Sequence, residues 1–303
     1  MKKSIKDKVK SKLRNGALIG LATLMTATST ACSLEADKVD NDQEIVIKQD
    51  MGIKQYNESP YQRLQAVRKI KLPTYEATYK DEDGVKRKYT FAYEEDVVEL
   101  CIQMAEVLED YFISIGAKPW TSDDKKQFWP EDIGYIVAAI AYRESTYRTN
   151  IVNDKGCQGI TCIKEKALLN SLEQWFTPNI WGDGVEYVGL DADKVDMLNP
   201  TTSIEYMYYE IGYYLTHWYK SYDKNRGKKS VWDKLEYSED LQERLIIATH
   251  LFGIGNMEDS IYKCPNQNGE IVPLKDCVYS DYVEDVLAKA QELKLTYGNN
   301  YTK

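Results

Sequence analysis

The sequence predicts a mainly α-helical domain with a small β-hairpin at its N-terminal edge. Three observations lead there. Long segments repeat apolar residues every three or four positions, and only one pair of short alternating segments flanks a turn. The 303 residues are 43% hydrophobic and 12% aromatic, enough to fill one core of ordinary domain size, and show no internal repeat.

Residues 1–31 read as an address rather than as structure. Lys2, Lys3, Lys6, Lys8, Lys10, Lys12 and Arg14 precede an apolar run, Gly16 to Thr28, that is short for a bilayer span. Ser29-Thr30-Ala31-Cys32 then resembles a bacterial lipobox, in which Cys32 is acylated and becomes the new N-terminus, although Ser29 stands where leucine is usual. An ordinary cut after Ala31 and an uncleaved anchor are the alternatives, and all three place the chain outside the cytoplasm. Residues 32–61 are polar and without period, as a tether would be, leaving 62–303 as the folded domain.

Within it, Tyr75–Tyr79 and Lys86–Phe91 flank the turn-forming Asp81-Glu82-Asp83-Gly84 and predict the hairpin. A helix is expected from Glu94 to Ile115, on the stripe Val98, Cys101, Met104, Ala105, Leu108 and Phe112. A second follows Pro130, with Glu131 and Asp132 in its first turn and a stripe of Ile133, Ile136, Val137, Ile140 and Ala141. Others are expected from Thr202 to Tyr219, Asp240 to Phe252 and Asp281 to Leu295.

The net charge of −9 becomes more negative once the basic leader is removed, which argues against a nucleic-acid partner. A neutral glycan imposes no such demand. Outside the cytoplasm, the neighbouring pairs Cys157/Cys162 and Cys264/Cys277 suggest two local disulfides, while Cys101 lies on a core stripe. No Cys-x-x-Cys spacing occurs and His217 and His250 are not helically paired, so neither a metal nor another cofactor is expected.

Continued by steps of three and four, the stripe of the second helix arrives at Glu144. A carboxylate pointing toward apolar surroundings at a helix C-terminus has its charged form disfavoured by desolvation and by the macrodipole. That suits a general acid. On periodicity alone, a solvated glutamate paired with Arg143 or Arg148 is the commoner case.

The run from Glu144 to Ile160, ESTYRTNIVNDKGCQGI, resembles the signature of the soluble lytic transglycosylase domain: a Glu-Ser pair, an aromatic residue two positions on, a polar loop, then Gly-x-x-Gly-Leu-Met-Gln. Asn199-Pro200 with Ile204 resembles that family's Asp-Pro-x-x-Asn-Ile segment, and Gly253-Ile254-Gly255-Asn256 resembles its Ala-Tyr-Asn-Ala-Gly-x-Gly-Asn motif. The resemblance implies a lysozyme-like fold and a monomeric enzyme acting on peptidoglycan glycan strands. Glu144 would be the catalytic acid and base, with Ser145 orienting it. Substrate contacts would come from Tyr147, Gln158, Gly159, Ile160, His250, Tyr208 and Tyr213.

Thr161-Cys162 stands where the family has Met-Gln, and His250-Leu251 where it has Tyr-Asn. His250 would either replace the tyrosine hydroxyl as a hydrogen-bonding group or simply pack. Asp154 and Glu210, the other nearby carboxylates, read as solvated. A single carboxylate fits a mechanism in which the muramoyl 6-hydroxyl attacks and an anhydro sugar forms. Hydrolysis by water and non-catalytic glycan binding are the rival expectations.

Overall fold

The computed structural model describes residues 59–80, 84–114, 129–152, 156–164, 195–225, 239–252, 263–265 and 271–301. The leader, Cys32, the loop carboxylate Asp154 and the Gly253–Asn256 block lie outside them. They form a mostly helical domain with small two-stranded antiparallel sheets. No described helix is long and apolar enough to cross a membrane.

A short helix begins within the last residues before 62. Ser59 and Gln62 form a reciprocal capping box that starts α1 (Pro60–Val67), with Pro60 in its first turn. Leu64 and Val67 are buried, and Arg68 behind them reaches Glu205 across the domain.

Strands β1 (Thr74–Lys80) and β2 (Lys86–Ala92) pair in register from Thr74 opposite Ala92 to Lys80 opposite Lys86. Tyr75 stacks on Phe91 directly across the strands, with centroids 5.4 Å apart, an aromatic pair that supports this register. α2 (Glu94–Ser114) opens with Glu94, Glu95 and Asp96, favourable at the positive end of a helix dipole. All six residues of its expected stripe are buried.

α3 (Ile133–Ser145) is the central element. Its expected stripe is buried, but so are Gly134, Ala138 and Ala139 on other sides, because α2, α4 (Pro200–Asn225), α5 (Glu239–Phe252) and α7 (Asp281–Tyr301) all touch it. Each fully buried Ile or Val contributes about 1.5–3 kcal/mol. Gly134 admits α2 at close range, since a Cβ there would lie 2.9 Å from the Ile102 side chain and 3.0 Å from its backbone.

α7 runs antiparallel along α3. Lys294 near its end holds Asp132 at the head of α3 at 2.7 Å, while Tyr282 in its first turn reaches Glu144 at the tail. Two short pairs complete the fold: β3 (Cys157–Gln158) with β4 (Ile163–Lys164), and β5 (Lys263–Pro265) with β6 (Ile271–Pro273). α6 (Leu274–Val278) follows β6 directly and packs against β5.

Candidate active site

Glu144 sits in the last turn of α3, half-buried. The helix ends there because Thr146 and Tyr147, neither of them glycine, both adopt left-handed backbone conformations, with φ of 53° and 62°. Such conformations are costly for residues with a branched or bulky side chain and persist only where the surroundings impose them. The constraint here is a strand-like pairing. The chain turns back beside β2, where Ala92 N–H donates to the Tyr147 carbonyl at 3.0 Å and Thr149 N–H to the Thr90 carbonyl at 2.9 Å. The hairpin therefore holds the end of α3 and, with it, the carboxylate.

The carboxylate has a defined partner. The hydroxyl of Tyr282 donates to Glu144 Oε1. Burial foremost, then the neighbouring Glu144 charge and that hydrogen bond, push the phenol well above its ordinary value and keep it a donor. Arg143 lies against the same ring, 5.6 Å from its centroid, and pairs with Asp285 at 3.4 Å.

Behind these groups lies a second titratable pair. His250, near the end of α5, donates through Nδ1 to Glu210 Oε2 at 3.3 Å, and the two side chains are only 7% and 8% exposed. Burial alone would lower the affinity of the imidazole for a proton. The Glu210 hydrogen bond and charge, joined by the charge of Glu144, overcome it and raise His250 above 6.5. Glu210 is thus buried and paired rather than solvated. α4 is packed on more than its main stripe, so a position off that stripe still faces protein. His250 takes part in a hydrogen bond rather than merely packing.

The glycine-rich hairpin after Glu144 is built to close tolerance. Cys157 and Cys162 form a disulfide. Gly159 has φ of +74°, and a Cβ there would lie 2.0 Å from the Met197 carbonyl oxygen, so no other residue fits. Thr161, fully buried, binds Ser203 through its hydroxyl, 2.8 Å from Ser203 Oγ, which locks the hairpin to the first turn of α4. Asn199 caps that turn, its side-chain oxygen accepting from Thr201 N–H at 3.0 Å.

The remaining expected residues fall in different places. Ser145 is fully buried and its hydroxyl donates to the Ala141 carbonyl at 2.7 Å, so it fastens the helix end and presents no surface. Tyr147 is 4% exposed and packs on Tyr142 with centroids 5.5 Å apart. Tyr208 belongs to the core, donating to the Cys101 carbonyl at 2.6 Å beside Trp129. Ile160 is likewise fully buried, whereas Gln158 remains partly accessible. The side chains of Tyr213 and Cys264 lie outside the described residues. Cys277 is disulfide-bonded and buried, and Cys101 is a free, buried thiol.

The sequence reading missed Tyr282 and the burial of Glu210. Tyr282 is 138 positions from Glu144 and carries no local signal of its own. Among the described residues, no three His, Cys, Asp or Glu side chains cluster as metal ligands would. A surface pocket lined by Asp132, Ile136, Arg244 and Leu287 belongs to the opposite end of α3, about 12–18 Å along the axis from Glu144, and takes no part in this site. Against known proteins, no family model, no curated protein and no solved structure matches the chain.

Proposed function

We propose that the protein is a peptidoglycan lytic transglycosylase with a lysozyme-like fold, working outside the cytoplasm on a lipid anchor at Cys32, with Glu144 as its acid and base. The observation that carries this reading is the setting of Glu144. It is a half-buried carboxylate at the tail of the central helix, held by the hydroxyl of a buried tyrosine and followed by two left-handed residues. The ordered sequence blocks around Glu144 and Asn199 supply the substrate class.

In the first step, protonated Glu144 gives its proton to the oxygen between N-acetylmuramic acid and N-acetylglucosamine, and the C1–O bond of the muramoyl residue breaks. In the second, the Glu144 carboxylate takes the proton of the muramoyl 6-hydroxyl as that oxygen bonds to C1. Glu144 is thereby restored and no water is consumed. The 6-hydroxyl is tethered to the reacting ring, which gives it a high effective concentration and makes a second protein carboxylate unnecessary. The Tyr282 bond occupies Oε1 and leaves Oε2 to handle the proton.

The test is digestion of purified glycan strands, read by product mass. Wild type is expected to release 1,6-anhydromuramoyl products, and Glu144→Gln to lose on the order of 10²–10⁴-fold in rate. Products with free reducing ends would indicate a hydrolase. Sedimentation with cell wall but no release by either form would leave only a glycan-binding protein.

A further inference from the structure

The mechanism above leaves the His250–Glu210 pair unused, yet the two groups are buried together and the charge of Glu144 reaches His250. A buried ionic pair of this kind contributes little net stability over an apolar replacement. Its Nδ1 is committed to Glu210, and Nε2 forms no hydrogen bond with any described residue. α5 and α3 pack against each other and run in the same direction, Ile136 and Arg244 lining one pocket near their heads, so His250 and Glu144 both lie toward the tails.

We propose that His250, clamped by Glu210, is a positioning residue for Glu144: as an imidazolium it supplies the positive charge that stabilises the carboxylate left when Glu144 has given up its proton. The role rests on Glu144 being the acid. Glu210 orients the ring and keeps it charged, and the positive end of the pair acts on Glu144. Charge placed in advance where charge develops, in a site with little water, is an effective form of catalysis.

Among the described residues, few other groups are placed to set the charge of His250. Glu210 faces it from α4 and Glu144 from α3. On α7 the Tyr282 hydroxyl is turned to Glu144, while Glu284 and Asp285 pair with Arg244 and Arg143. Asp276 on α6 is exposed.

The chain contains 2 histidines, so imidazole NMR of the full protein resolves the question, with His217→Gln to assign the signals. In wild type His250 is expected to titrate above 6.5. Glu210→Gln should lower that midpoint and Glu144→Gln should lower it by less. In glycan cleavage, the alkaline limb of the pH profile should move to lower pH in Glu210→Gln together with the His250 midpoint. His250→Asn should lose about tenfold in kcat with KM nearly unchanged.

A His250 midpoint unmoved by Glu144→Gln overturns the proposal, as does an alkaline limb that stays fixed while the midpoint moves. Glu144→Gln leaves the His250–Glu210 pair itself intact, so its titration decides the matter even where Glu210→Gln fails to fold. The two readings fail separately. Loss of cleavage in Glu144→Gln with no change at His250 removes only the positioning role. Full cleavage by Glu144→Gln removes the catalytic reading and this role with it.

Discussion

Two carboxylates on α4, five residues apart, are both buried and are held in opposite ways. Glu205, 4% exposed, accepts from Arg68 Nε at 2.9 and 3.1 Å, from Arg68 Nη2 at 2.6 Å and from the Tyr209 hydroxyl at 2.6 Å. Among the described residues, Glu210 accepts one bond, from His250 at 3.3 Å. Five residues turn a helix by about 140° beyond a full turn, so Glu205 faces the end of α1 and Glu210 faces α5. The guanidinium stays charged at every working pH, and although burial opposes it, the Glu205 bond and charge hold Arg68 above its ordinary value. The imidazole can gain or lose its proton near neutrality. A saturated pair with a permanent partner fastens elements together. A singly bonded pair with a titratable partner leaves charge that can act on a neighbour, and the neighbour here is Glu144.

The sharpest way to break this contrast is Arg68→Ala. It leaves Glu205 buried without its cation and should cost about 3–5 kcal/mol in urea unfolding, while the cleavage rate per folded molecule stays unchanged. A loss of rate matching the loss of stability would make the two carboxylates equivalent. A smaller effect is expected from Tyr282→Phe, which removes the donor to Glu144 and no packing. It should cost about 1–2 kcal/mol in stability and about tenfold in cleavage, measured on the same preparation.

The smallest effect concerns pH. His250 binds its proton more tightly when folded than at its ordinary value of 6.5. The stability this contributes is complete below 6.5 and disappears as pH rises through the higher folded value. Unfolding free energies across that window should therefore decline in wild type, and decline less in Glu210→Gln. The Arg68 pair should produce no such slope.

Much of the helical frame is legible in the residues themselves. The six-residue stripe of α2 and the five-residue stripe of α3 are buried as their spacing requires, and the hairpin lies within a residue of its expected bounds. The shortest elements left too little pattern. β3 and β4 are 2 residues each, and no alternation can be read from two positions. α1, 8 residues long, announces itself only through the capping residues Ser59 and Gln62, easily lost at the edge of a polar segment.

What the sequence determined alone is local: that most of the longer helices exist, which face of each is apolar, and that a glutamate occupies the next step of an apolar stripe. These follow from period, caps and turn residues within a few positions of one another. Helix ends are less legible: α4 and α7 run six residues past their expected ends, and α3 starts at Ile133, leaving Glu131 and Asp132 ahead of its first turn. Tertiary structure decided which polar groups share one environment. The antiparallel passage of α7 along α3 brought the Tyr282 hydroxyl to Glu144, and the packing of α5 beside α4 buried Glu210 against His250. Hydrogen bonds and charges act over a few ångströms of space, and distance along the chain does not predict which groups will come that close.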